Sequence, residues 1–404
     1  MLNRPTMLDL EPEIQPDEES ELNPGGLFQR FLRVLLFRTD WLMILPMLVL
    51  LAFGALFIYG TGQQIGGPQA ANLWRRHLLC MAIGGSVWLI FSILDYRWCG
   101  PFSLILYPVT VALLVLVLVP SIGQKYFGAR SWLKLGPLNF QPSELAKFAL
   151  VVLCAWILSF RKTSVNHPLW LLFLLVLLGI PAGLTCMQPD LGTAMTMTVP
   201  VAGMIFAAKL KWRYIVIFLL AAAVILPVSY QYFLKTYQKE RILVFFDPER
   251  DKQNRGWTQL QAEIAVGVGG LTGKGFMKGK HNLLGYLPRT VSNSDFIFPV
   301  IAEETGFLGS VTVVVMFALL LFSIFRTALL APDDFGRYLC VGTAILLFFH
   351  AYVNIAMSIR MCPVSGLPLP LVSFGGTFLV VVMTYLGIVH SIYGHRERKS
   401  IFDL

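Results

Sequence analysis

The chain has 404 residues, enough for two or three soluble domains at about 150 residues each, but its composition excludes that organisation. Hydrophobic residues make up 56%, mean hydropathy is +0.67, and charged residues are only 14%, against roughly 25% in soluble domains. The same figures exclude a disordered, collagenous or disulfide-rich chain. The net charge of +9 is partly a matter of membrane topology and calls for no nucleic-acid partner.

The first 26 residues are polar and acidic, with Glu11, Glu13, Asp17, Glu18, Glu19 and Glu21, and no cleavable signal peptide is recognisable there. Residues 1–38 read as a disordered or amphipathic cytoplasmic tail. Apolar runs long enough to cross a bilayer follow at 41–60, 77–94, 101–120, 142–160, 168–186, 191–208, 214–233, 296–325, 338–358 and 370–392. The expected fold is therefore an all-α polytopic membrane protein with about ten transmembrane helices. Its membrane domain covers 39–394, with a large extracytoplasmic loop at 234–295 between helices 7 and 8 and a short cytoplasmic tail at 395–404. With the N-terminus inside, the cytoplasmic segments carry about 14 Lys and Arg. The short outer loops carry about 6: Arg75, Arg76, Lys125, Arg130, Lys134 and Arg360. This bias places both termini in the cytoplasm. No internal repeat is evident. The six cysteines show neither C-x-x-C pairing nor zinc spacing and read as small buried hydrophobes.

Polar residues interrupt the apolar pattern at four places, and charges inside a span mark functional or paired structural sites. The first is Gln141-Pro142-Ser143-Glu144, in which Ser143 is a candidate helix cap. Glu144 and Lys147, three residues apart, share one helix face, as an ion pair near a helix end or as a charged pair facing a cavity. The second is Gln188-Pro189-Asp190, where Asp190 suits the N-cap of the sixth span. At the third, Asp295 joins the outer loop to the eighth span. A cap would explain it, but not Glu303 and Glu304 two turns further in. The fourth is 363–377, where Pro363, Pro368, Pro370 and several glycines break the helix beside Ser373, as an outer turn or as irregular backbone lining a cavity.

The outer loop also has a glycine string, Gly267 to Gly275 with Lys274. It matches neither the phosphate loop nor the dinucleotide fingerprint, because Gly275 follows Lys274 and Thr272 stands where a glycine is needed. Trp257 to Val266 suits a short interfacial helix with Gln259, Gln261 and Glu263 on its wet side.

Taken in order, several segments resemble the SEDS family (shape, elongation, division and sporulation). They are GARSWL at 128–133, QPSELAK at 141–147, QPDLGTA at 188–194, GGLTGKGF at 269–276, DFIFPVIAEETGFLG at 295–309 and GLPLPLVSFGGT at 366–377. The wording PLPLVSFGG and GKGFMKG is closer to the RodA branch than to FtsW. The resemblance implies a peptidoglycan glycosyltransferase joining lipid II disaccharides outside the bacterial inner membrane, for elongation and cell shape or for division. Its usual partner is a class B penicillin-binding protein. The family's essential outer aspartate matches Asp295, and its conserved Glu and Lys match Glu144 and Lys147. The sequence departs from the family in the stretch before Asp295, which is two residues longer and lacks the usual His-Thr, and at Ala262, where Ser is usual.

Such a reaction needs a base for a sugar hydroxyl, worth about 10²–10⁴-fold, and Asp295 is the first candidate. It would alternatively bind a divalent cation, Mg²⁺ or Mn²⁺, that neutralises pyrophosphate. Arg130 and Lys147 are candidate pyrophosphate grips. Ser143, Gln188, Asp190, Lys274, Glu303, Glu304 and Ser373 are supporting candidates. A lipid II flippase or transporter, and a non-catalytic scaffold for the penicillin-binding protein, are the alternatives.

Overall fold

The computed structural model describes residues 39–396 except 67, 127–128, 136–137, 161–164, 235, 248–250, 252–254 and 289–290. The expected tail at 1–38, residues 397–404, and Arg289 and Thr290 of the loop thus lie outside the described residues.

Seven apolar helices come first: α1 (Trp41–Ile65), α2 (Pro68–Ile93), α3 (Cys99–Leu118), α4 (Pro142–Ser159), α5 (Pro168–Met187), α6 (Leu191–Ala207) and α7 (Trp212–Val228). The loop after α7 holds α8 (Thr236–Phe246), α9 (Arg255–Val268) and the single turn α10 (Lys280–Leu283). Three more apolar helices close the chain: α11 (Ile297–Leu330), α12 (Asp334–Ser358) and α13 (Gly376–Gly394). Among the described residues nine helical stretches are long and apolar enough to span a membrane, and α6, at 17 residues, is a shorter tenth. The chain is a multi-pass membrane protein. The expected spans stand with shifted ends. The ninth begins at Asp334, and the tenth begins only at Gly376 because the prolines keep 363–375 irregular. Arg75 and Arg76, assigned to a loop by hydropathy, lie within the first turns of α2.

One element departs from the all-α expectation. The segment between α3 and α4 folds as a three-stranded antiparallel sheet, β1 (Gln124–Tyr126), β2 (Ala129–Leu135) and β3 (Leu138–Phe140). It stands at the loop face, the end of the helices from which 234–295 emerges.

α4 is the central helix, packed against α3, α6 and α12, and nearly all its side chains are buried. α13 packs on α2, and α11 packs on both α1 and α12. At the end opposite the loop face, buried Asp40 caps α1 through Leu42 N (3.1 Å), accepts from the Ser323 hydroxyl and pairs with Arg326 (2.8 Å) on α11. α7 is the outlier: its most apolar stretch buries nothing, as expected of a helix surrounded by lipid.

The glycine string finds its role in α11. That helix is broken at Gly306, which has φ 68°. Irregular backbone at this depth needs hydrogen-bond partners from the protein, and residues 269–275 supply them. Phe307 N donates to Gly270 O (2.8 Å) and Leu308 N to Leu271 O (3.2 Å), while Lys274 N and Gly275 N donate to the carbonyls of Glu303 (3.0 Å) and Glu304 (2.9 Å). A Cβ on Gly306 would lie 2.3 Å from Gly273 N, so only glycine permits this approach.

The cysteine expectation holds in part. Cys80, Cys154 and Cys340 are buried, Cys99 and Cys362 are intermediate, and Cys186 is exposed on the apolar surface of α5. The α9 expectation holds only for Glu263, which is exposed and pairs with Arg360 (3.0 Å). Gln259 and Gln261 are buried, with Gln259 donating to Met357 O (3.3 Å) and Cys362 O (2.8 Å). The outward face carries Trp257, Leu260, Ile264 and Val268. Beside a bilayer the exposed apolar residues face lipid, and the two glutamines face protein.

Candidate active site

A cavity of about 470 Å³ opens at the loop face. Its walls come from α2 (Leu73, Arg76, Cys80), from β2 and β3 (Ser131, Trp132, Asn139) and from the starts of α4 (Gln141, Glu144) and α6 (Asp190, Thr193). Arg241 of α8, residues 293–295 and the broken segment around Gly366 and Phe374 complete it. Helix N-termini concentrate here, and each aims backbone N–H groups and positive dipole at the space.

Asp295 lines the cavity and is partly exposed to it. It does not cap α11; Phe296 holds that position. The C-terminal third instead fixes its backbone. Phe374 N donates to Asn293 O (2.9 Å), the Ser373 hydroxyl to Ser294 O, and Asn354 Nδ2 to Asp295 O (2.9 Å). Ser373 also accepts from Leu369 N (2.8 Å), and Asn354 also donates to Leu367 O (2.7 Å). The same two side chains therefore hold both Asp295 and the irregular wall opposite. A Cβ on Gly366, at φ +73°, would stand 3.5 Å from Asp295 Oδ2. Burial pushes the Asp295 carboxyl up to about 6, against the pull of the Ser294 hydroxyl and the Arg241 charge, with Asp190 adding to the rise.

Glu144 also lines the cavity, and Lys147 lies behind it, 1% exposed, with Nζ 2.9 Å from Glu144 Oε2. On its other side Lys147 stands 3.3 Å from His350 Nε2 and over the Phe378 ring. A charged lysine has no acceptor, so His350 Nε2 must accept. The ring proton then sits on Nδ1, which faces Pro368 O at 3.4 Å. The pair thus reaches the cavity through Glu144 only, and Lys147 is not placed to touch a ligand.

Asp190 caps α6 through Thr193 N (3.1 Å) and Thr193 Oγ1 (2.8 Å), and its Oδ2 lies 3.5 Å from Gln141 Nε2 at the cavity wall. Ser143 does not cap α4: the N-cap is Gln141, without a side-chain bond, because Pro142 already starts the helix, and Ser143 is fully buried in the first turn. Gln188 is buried away from the cavity, donating to Leu114 O (3.1 Å). Arg130 directs Nη1 to Leu118 O (3.4 Å) while its neighbours Ala129 and Ser131 line the space.

Lys274, Glu303 and Glu304 form a separate cluster. Glu303 accepts from Lys274 Nζ (2.6 Å) and Lys280 N (2.9 Å) and meets His281 Nδ1 at 2.9 Å. Glu304 accepts from Gln64 Nε2 (2.9 Å) and Met277 N (2.9 Å). These carboxylates bolt 274–281 to α11 and α1 and do not line the cavity.

Sequence reasoning missed His350, Asn354, Phe378, Arg76 and Arg241. The two residues of α12 left a signal, since a His and an Asn four apart in an apolar run share one face and are costly there unless paired. Among the described residues no group of three or more His, Cys, Asp or Glu is arranged to hold a metal. Among the described residues that line the cavity, Asp295 is the one carboxylate committed neither to a cap nor to a lysine.

Fold and cavity together define a polytopic membrane protein with a buried-carboxylate reaction chamber at one end of its helices. The chain belongs to the FtsW/RodA/SpoVE family, whose profile, described as cell cycle protein, matches residues 40–398. It is similar to the peptidoglycan glycosyltransferase MrdB of Escherichia coli K12, at 34% identity over 369 residues, covering 89% of this chain and 95% of that one. It is equally similar to a probable peptidoglycan glycosyltransferase FtsW of Geobacter sp. (strain M18), at 34% over 358 residues, 87% and 96% of the two chains. Among solved structures it resembles the rod shape determining protein RodA of Thermus thermophilus, with TM-score 0.65 and 29% identity over 90% of this chain and 98% of that. A second, with TM-score 0.75 and 30% identity over 89% and 98%, comes from work on the structural coordination of polymerization and crosslinking by a peptidoglycan synthase complex.

Proposed function

We propose that the chain polymerises lipid II, an undecaprenyl-pyrophosphate disaccharide-peptide, into glycan strands at the outer face of the bacterial inner membrane. It is a peptidoglycan glycosyltransferase, the activity its curated relatives are named for. The observation that carries the reading is the Asp295 carboxylate lining a cavity of about 470 Å³, its backbone held there by donors from Asn354 and Ser373.

Asp295 accepts the proton of the acceptor hydroxyl as that oxygen bonds to the anomeric carbon of the donor. The bond from that carbon to the lipid pyrophosphate breaks, and the electron pair leaves with the phosphate oxygen. Attack opposite the leaving group inverts the centre, so no second nucleophilic carboxylate is needed. A base that titrates near 6 is ionised at neutral pH yet basic enough to help. In the alternative role Asp295 would hold a divalent cation, Mg²⁺ or Mn²⁺, which would supply charge neutralisation for the pyrophosphate.

Elongation is the role we assign, supported by the RodA-like wording of two motifs. The Lys and Arg bias supports cytoplasmic termini. The likeness to a chain of a peptidoglycan synthase complex supports a class B penicillin-binding protein as partner. The test is a gel of glycan products from purified protein and lipid II, with and without that partner. Polymer from the wild type and none from Asp295→Asn is expected. Lipid movement across liposomes without polymer would make the chain a transporter, and normal partner-dependent polymer from Asp295→Asn would make it a scaffold.

A further inference from the structure

The sequence suggested Arg130 and Lys147 as grips for the leaving pyrophosphate, and neither faces the cavity. Lys147 is held between Glu144 and His350, and Arg130 turns to the end of α3. The cavity nevertheless needs positive charge. Glu144, Asp190 and Asp295 all line it, and a pyrophosphate entering beside three carboxylates would be repelled.

Two cationic side chains do line it, Arg76 of α2 and Arg241 of α8. Arg76 lies between Leu73 and Cys80, which line the cavity with it. Spacings of three and four put all three on one helix face. Because α2 runs inward from the loop face, the exposed Arg76 stands nearer the mouth and the buried Cys80 deeper. That face offers a guanidinium flanked by apolar groups, the pattern of a phosphate head on a hydrocarbon chain. Arg241 is close enough for its charge to act on Asp295. Guanidinium suits this task, because its planar fork bonds phosphate oxygens in pairs and never deprotonates.

We propose that Arg76 and Arg241 form the clamp for a prenyl pyrophosphate, with Arg76 at the mouth and Arg241 beside the reacting centre. The inference deepens the polymerase reading and rests on it for the identity of the leaving group. Arg241 stabilises the charge that grows on the phosphate oxygen as the bond breaks. Arg76 holds the pyrophosphate against the wall that carries the prenyl chain.

Arg75 provides the control, a neighbouring exposed arginine on α2 that does not line the cavity. The measurement is equilibrium binding of farnesyl pyrophosphate, farnesyl monophosphate and farnesol to purified full-length protein in detergent. Arg76→Gln and Arg241→Gln are each expected to weaken the pyrophosphate by about ten- to hundred-fold, the worth of a charge-assisted contact. Arg75→Gln should bind as the wild type does, Arg→Lys at either clamp position should fall between, and farnesol should be unaffected throughout. Equal binding by Arg75→Gln and the two clamp variants would overturn the proposal. So would a matching loss for farnesol, which would place the defect in the fold. Because the assay needs no polymerisation, arginine-dependent binding by a protein that makes no polymer would sink the polymerase reading and leave the clamp.

Discussion

Asp295 is raised to about 6 from an ordinary 3.8 mainly by burial, and this has opposite consequences for activity and stability. The carboxylate form is the working base, so polymerisation should fall about tenfold per pH unit below pH 6. The folded protein binds this proton more tightly than the unfolded chain, so stability declines as pH rises from about 4 to 6 and stays lowered above. Asp295→Asn removes that cost. It should lose about 10²–10⁴-fold in rate while melting higher than wild type at pH 7, the two melts converging near pH 4. A lower melt for the variant at pH 7 would show that the charge is compensated in the fold. The pair behind the cavity behaves differently. Glu144→Gln leaves Lys147 buried with only a neutral histidine, and breaking a buried pair costs about 3–5 kcal/mol. Polymerisation rates of Glu144→Gln, Lys147→Met and the double variant should be strongly non-additive, by about 0.5–3 kcal/mol; simple addition would mean the two act separately.

At the scale of the element, α11 is two helices welded by a strand of glycines. Gly306→Ala faces both a positive φ and a backbone atom 2.3 Å from the new methyl. It should destabilise by about 1–3 kcal/mol and loosen 269–275, read as faster amide exchange there. Gly179→Ala, on α5 where nothing lies within 4 Å of the new Cβ, should melt at or above wild type, because alanine is the better helix former. Much of this architecture was legible in the sequence. Twenty-residue apolar runs mark spans because lipid cannot solvate an open backbone. The spacing of Glu144 and Lys147 gave their shared face, and Asp295 stood out as an acid between a polar loop and an apolar run. The rest depended on partners far along the chain. Asn354 and His350 were single polar residues in a helix until the fold set them beside residues 59 and 203 positions away. The burial of Gln259 and Gln261 on α9 was illegible for another reason: the pattern gives a stripe but not its solvent, and here the solvent for apolar groups is lipid. Glu303 and Glu304 looked like members of the site because their role, holding the largely irregular segment 274–281, leaves no periodic trace.

At the scale of the whole molecule, the orientation proposed from Lys and Arg is testable by labelling. In intact cells, with Cys80, Cys186 and Cys362 first replaced, a cysteine at position 280 should react with an impermeant reagent and one near 400 should not. The reverse pattern would overturn the topology. The three ties on residues 293–295 also set an order of events during synthesis. The seam between 270–275 and 303–308 joins neighbours in sequence, so its short loop closes early. The donors that fix residues 293–295 come 59 to 81 residues after their acceptors, from Asn354, Ser373 and Phe374, and leave the ribosome well after them. A nascent chain paused before α12 therefore carries every carboxylate of the chamber and a finished seam, yet its base is untethered. Emergence of residues 354–374 is then the step that sets the base in place.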